Sequence, residues 1–229
     1  MGKNKLKKFE QMNNYVHVKQ PSLHELKEGF SLKGKWRKEF FKNENPIVLE
    51  LGCGMGEYTV GLAKKFPNKN FLGIDIKGAR MWQGATQSIE GGIKNVGFLR
   101  IRIDWIEMCF EKNEIDEIWI TFPDPQLKKR RANKRLTHPN FLSKYQSILK
   151  KDGNIHLKTD SQFLHAFTLG VIASEGHILE DSTRHLYQEN TQREHMEIKT
   201  HYEHIFLKEG KYITYLRFRL NDCSKRISF

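Results

Sequence analysis

Cysteine is scarce in this chain. It has three, Cys53, Cys109 and Cys223, an odd number with no two in a C-x-x-C pair. That spacing excludes a disulfide framework and a zinc knuckle and predicts a reducing, cytoplasmic setting. Long apolar runs are missing too: no stretch approaches the roughly 18 uninterrupted apolar residues that a membrane helix needs. The basic start, Met1 to Lys8, has no apolar segment behind it and does not read as a secretory signal. Internal repeats and low-complexity tracts are absent. At 229 residues the chain is long enough to bury a sizeable core without a metal or disulfide staple. No H-x-x-x-H pair stands beside a carboxylate motif, so no metal site is expected.

Charge is abundant and unevenly placed. The formal net charge is +12. Residues 1–42 carry ten Lys and one Arg against four Glu, and residues 128–135 carry six cations and no anion. The rest is close to neutral. Six uncompensated cations in eight residues repel one another unless an anion joins them, so Lys128, Lys129, Arg130, Arg131, Lys134 and Arg135 point to a polyanionic partner. Residues 1–45 read as a basic arm without a clear core pattern, and residues 46–229 as the folded domain.

From Pro46 onward, short apolar strands alternate with helices. Ile47–Leu51, Phe71–Asp75, Val96–Ile103, Ile115–Phe122 and Asn154–Lys158 read as strands. Glu57–Phe66, Ala79–Ile89, Phe141–Leu149 and Ser161–Ser174 read as helices, the third with Thr137 or Asn140 as its cap. Tyr212–Leu220 reads as a late antiparallel strand. The pattern predicts a doubly wound, mostly parallel α/β sheet, which binds ligands at the carboxyl ends of its strands. Acidic residues follow four of those ends: Asp75, Asp104, Asp124 and Asp160.

The first strand runs into Glu50-Leu51-Gly52-Cys53-Gly54-Met55-Gly56. Glycine supplies positive φ and lets backbone approach a ligand closely. The spacing is not the Gly-x-Gly-x-x-Gly of dinucleotide sites, and Glu57 would repel a pyrophosphate at the helix start. Glu50 prefers a cation. A ligand without phosphate and with amino and sulfonium charge, S-adenosylmethionine, fits better. Asp75 is placed to take both ribose hydroxyls and Asp104 to lie by the adenine edge.

Further on, Pro123-Asp124-Pro125 leads into the basic cluster, Lys158-Thr159-Asp160 ends a strand, and Thr200-His201-Tyr202-Glu203 follows a polar segment. In combination and order, from about Pro46 to Leu220, these motifs resemble the bacterial tRNA (guanine-N7)-methyltransferase family. The resemblance implies a seven-stranded Rossmann-like methyltransferase sheet and methyl transfer from S-adenosylmethionine to N7 of a guanosine in the variable loop of tRNA. It places Glu50, Gly52, Gly54, Gly56, Asp75, Asp104 and Asp124 around the cofactor, with Asp124 as the catalytic residue. It assigns Lys128, Asp160, Thr200, Tyr202 and Glu203 to the substrate, and Lys129, Arg130, Arg131, Lys134 and Arg135 to RNA contact. The loop departs from the family's Pro-Trp-Pro-Lys, reading Pro125-Gln126-Leu127-Lys128. Two alternatives stand beside this reading: an RNA methyltransferase with another target, and a non-catalytic RNA-binding protein of the same fold. Monomer and homodimer are both open.

Overall fold

The computed structural model describes residues 2–188 and 197–221. The sheet is built by alternation. β2 (Ile47–Leu51), α3 (Glu57–Lys65), β3 (Asn70–Ile74), α4 (Gly78–Glu90) and β4 (Val96–Leu99) form one winding. The short α5 (Ile106–Cys109), β5 (Ile115–Thr121), α6 (Pro139–Ile148), β6 (Leu149–Thr159) and α7 (Gln162–Ser174) form the other. β7 (Ile178–Thr183), α8 (His201–Lys208) and β8 (Thr214–Arg219) close the described chain. The strand order is β1-β4-β3-β2-β5-β6-β8-β7, where β1 is Val18–Lys19. Pairings from β1 to β6 are parallel, and β8 runs antiparallel to both neighbours. The order reverses on either side of β2, so the crevice lies at the carboxyl ends of β2 and β5.

The described sheet has eight strands, one more than the seven expected. The extra strand comes from the arm. Two residues carry no readable periodicity, but β1 covers the edge of β4: the Phe98 and Arg100 amides donate to His17 and Lys19 carbonyls at 2.9 and 2.8 Å. The third strand stops at Leu99, earlier than its apolar run suggested, because Ile103–Trp105 turns into a 3₁₀ helix. The cap of α6 is neither Thr137 nor Asn140. The His138 imidazole accepts from the Asn140 amide, while Thr137 is buried against Thr168 at 2.8 Å between hydroxyls.

The arm's residues also reach the core. α1 (Gly2–Asn13) packs on α4 and buries Met12; α2 (Leu23–Gly29), capped by Ser22, buries Leu26; and a π-helical turn at Trp36–Phe41 buries Trp36. Trp36 donates its indole N–H to the Cys109 carbonyl at 2.9 Å. Each piece is anchored by one or two large side chains, so no amphipathic period shows in the sequence. A single buried aromatic or Leu contributes about 1.5–3 kcal/mol by area alone.

Candidate active site

The site begins with three glycines that no other residue could replace cheaply. Gly52, Gly54 and Gly56 have φ of +78°, +56° and +75°, in the left-handed region. A Cβ on Gly56 would also sit 2.7 Å from the Phe98 ring and 3.2 Å from the Gly84 Cα, between α3 and α4. Asp75, just past β3, fixes the loop. Its carboxylate accepts from the Gly54 amide at 3.0 Å and from the Lys77 amide at 2.7 Å. Those bonds give Asp75 a structural duty without burying it; its side chain still faces the crevice.

Glu50 is 3% exposed. It accepts from the Thr59 amide at 2.8 Å, from the Thr59 hydroxyl, and from the Thr121 hydroxyl at 2.5 Å. One carboxylate thus ties β2 to α3 and β5. Burial outweighs these hydrogen bonds and pushes its carboxyl up to about 7.

On the other side, β5 ends in the Pro123-Asp124-Pro125 turn. Asp124 is exposed, and it accepts from the Gln126 amide at 2.9 Å. The residues flanking the turn are strained. Phe122 and Gln126 have φ of +46° and +47°, a region that costs non-glycine residues on the order of 1–3 kcal/mol.

Both halves open into one cleft of about 760 Å³. It brings together Glu50, Gly52, Gly54, Asp75, Asp124, Asp160, Thr200, Tyr202 and Lys134. A side lobe of about 410 Å³ is lined by Asp104, Asp75, Ile103, Leu136 and Phe141. Asp104 is half-exposed there, 3.3 Å from the Arg102 guanidinium. Gly56 lies behind the loop rather than in the cleft wall. Lys128, Lys129, Arg130 and Arg131 are exposed along a 3₁₀ turn (Lys129–Lys134) beside the cleft, outside its lining residues.

Two of the charged residues expected at the site are buried outside the cleft lining. Arg135 is 5% exposed and does not face solvent with its neighbours. Its guanidinium donates to the Pro125 and Gln126 carbonyls at 3.2 and 3.0 Å and lies over the Phe163 and Phe167 rings. RNA contact by that side chain would require extracting it from α7. Glu203 is fully buried. Its carboxylate pairs with Lys158 at 2.8 Å, accepts from the Tyr187 hydroxyl, and closes a capping box with Thr200 at the start of α8. These contacts set it beneath Thr200 and Tyr202 of the cleft wall. Burial lowers the Lys158 pKa, an effect that Glu203 opposes.

Two contributors went unread. Lys158 appeared in sequence only as a strand end; a lysine inside an apolar strand is the signal that it has a buried partner. Glu57, read only as an obstacle to phosphate, accepts from the His201 amide at 2.8 Å and pins α8 to the glycine-loop helix. Among the described residues no three His, Cys, Asp or Glu gather as a metal site, and no helix is long and apolar enough to cross a membrane. Cys223 lies outside the described residues.

Comparison with known proteins bears on this cleft. A family model described as "Putative methyltransferase" matches residues 44–216. A Christiangramia forsetii protein named tRNA (guanine-N(7)-)-methyltransferase is 53% identical, over 95% of this chain and 98% of its own length. A Bacteroides fragilis protein of the same name is 52% identical, over 96% and 87%. The Listeria monocytogenes protein of that name is 33% identical, over 85% and 86%. Among solved structures, the 16S rRNA methyltransferase KamB superposes with a TM-score of 0.61 at 14% identity, covering 82% of this chain and 92% of that one. An antibiotic-related methyltransferase gives 0.57 at 19% identity, covering 79% and 90%. At such identities the two structures speak for the fold alone, and it is the Rossmann-like methyltransferase fold. With the glycine loop, the Pro-Asp-Pro turn and near-full-length relatives in agreement, this chain belongs to the tRNA (guanine-N7)-methyltransferase family.

Proposed function

We propose that this protein transfers the methyl group of S-adenosylmethionine to N7 of a guanosine in the variable loop of tRNA, nucleotide 46, in the cytoplasm. The observation that carries the reading is the single cleft that joins the glycine loop and Asp75 to Asp124, Asp160, Thr200 and Tyr202, beside the exposed cations.

The residues suit the cofactor. The positive-φ glycines leave a bare backbone cradle, and Glu57 at the helix start lines the same cleft, where it would repel a pyrophosphate. Asp75 would take the ribose hydroxyls, Asp104 would lie along the adenine lobe, and Glu50 gives the loop an acidic floor. When bound, S-adenosylmethionine supplies an activated methyl group on a sulfonium.

The protein's own work is then placement. Guanine N7 has an exposed lone pair and no proton, so no general base is required. Holding the base and donor in line can supply up to about 7–11 kcal/mol. Asp124 accepts from the Watson–Crick N–H groups of guanine and stabilises the positive charge that grows on the purine. Adenine's edge offers a different donor pattern, which gives base choice. Asp160, Thr200 and Tyr202 shape the wall, and Lys128 to Arg131 with Lys134 hold backbone phosphates. Neither described cysteine takes part: Cys53 and Cys109 are buried, and burial pushes the Cys53 thiol up and the Cys109 thiol to about 12.

The test is nucleoside mass spectrometry of tRNA incubated with protein and methyl-labelled cofactor. The expected product is labelled 7-methylguanosine in the variable loop. Label in another nucleoside, or none, would refute the reading.

A further inference from the structure

The strained turn that carries Asp124 needs something to hold it. Residues in the left-handed region persist only where their surroundings over-determine them. Asp124 itself is exposed, and its one bond within the turn, to the Gln126 amide, is local. From outside, the Phe122 amide donates to the Lys158 carbonyl at 2.8 Å and its ring packs on Phe206, while the Pro125–Gln126 end is restrained by Arg135. Its Nε donates to the carbonyl of Pro125 and its terminal nitrogen to the carbonyl of Gln126, the strained residue itself. The guanidinium plane in turn lies 4.8 and 4.4 Å from the ring centres of Phe163 and Phe167 on α7. Two residues on, the Thr137 hydroxyl meets Thr168 of the same helix at 2.8 Å. The strand-end loop is therefore pinned to a rigid element that lies outside the cleft.

We infer that Arg135 is a positioning residue: it clamps the Pro123–Leu127 turn so that Asp124 stands ready for the base before RNA arrives, and it makes no RNA contact itself. A lysine could supply charge there, but not two donors in one plane packed on aromatic rings. The inference rests on the function proposed above for what Asp124 does. Its structural half, the clamp, is measurable without turnover.

The experiment pairs amide hydrogen exchange of the peptide spanning residues 122–127 with steady-state methylation of tRNA, in the full-length chain. Arg135→Lys is expected to speed exchange of that peptide by about tenfold or more while the β2 and β3 peptides keep their protection. It should lower kcat by roughly 10–100-fold, with the tRNA KM within about twofold of the parent. The log–log salt slope of tRNA binding should stay unchanged in Arg135→Gln, which removes the charge, whereas Arg130→Ala or Arg131→Ala should flatten it by about one unit. Phe163→Leu, at a half-exposed ring, is the safer companion should Arg135→Lys fold poorly, and should move exchange and kcat in the same direction by a smaller factor. Unchanged exchange of the 122–127 peptide in the folded variants would overturn the clamp. So would a salt slope lowered by Arg135→Gln, because it would make Arg135 a phosphate contact. If the parent protein labels no tRNA guanosine, the proposed function falls, and the exchange data still decide the clamp.

Discussion

The two halves of the cleft are built on opposite principles. On the glycine-loop side the acidic group nearest the core, Glu50, is buried and satisfied by three donors, and the backbone adopts unusual angles only at glycines. On the Pro-Asp-Pro side the acid is exposed, and unusual angles fall on Phe122 and Gln126, which do not adopt them freely. A cradle for one constant small molecule can be set by local sequence. A surface that must admit a folded RNA is served by an open carboxylate whose turn takes its rigidity from elsewhere, here from Arg135 packed against α7. The comparison teaches that the first half stores its function in composition and the second in tertiary contact.

The contrast can be broken at either side. The largest effect is expected on the open side: Asp124→Ala should cut kcat by about 10²–10³, the scale for removing one group that stabilises transition-state charge, with the cofactor Kd nearly unchanged. Stopped-flow or steady-state methylation reads it directly.

Next comes pH. The folded-state pKa of Glu50 stands at about 7, above its ordinary value of 4.5. A raised acid contributes its stability in full below the unfolded pKa and loses it as pH climbs through the folded one. Between pH 4.5 and 7 the parent should therefore lose stability through this group, on the order of 3 kcal/mol. Urea unfolding at pH 5 and pH 8 should show a smaller difference between the two conditions for Glu50→Gln than for the parent. An equal difference would mean that Glu50 titrates as an ordinary carboxyl.

Asp75→Ala should leave two ribose hydroxyls without a charged acceptor and weaken cofactor binding by about 1.5–3 kcal/mol, read by calorimetry. The smallest effect belongs to the rim. If about four exposed cations meet phosphates, the salt slope of tRNA binding should be roughly −3 to −4. Neutralising Arg130 and Arg131 together should take about two units from it and leave the cofactor Kd alone.

The same contrast explains what the sequence made legible. The winding, the glycine cradle and the acids at strand ends could be read because each depends on local period or on a residue type with one physical use. Glycine at positive φ is the plainest example. The strip at 128–135 was read as six equal cations, and it is not: Arg135 differs from Arg131 only because Phe163 and Phe167 arrive from α7, some thirty residues downstream. The burial of Glu203 on α8 is equally invisible in sequence, since its partner Lys158 lies far back in the chain on β6. β1 escaped notice because two residues have no period, and His138 because its imidazole cap follows from a buried Thr137. Local chemistry names candidate residues, and long-range packing decides which of them face the ligand.

The most direct test of this division sets Asp75→Ala and Asp124→Ala side by side, with cofactor Kd by calorimetry and single-turnover methylation of tRNA at saturating cofactor. The account predicts a crossed result: Asp75→Ala binds cofactor weakly but transfers at close to the parent rate once saturated, while Asp124→Ala binds like the parent and transfers slowly. If each substitution instead damaged both quantities alike, the two halves would not be separable and the account would be contradicted.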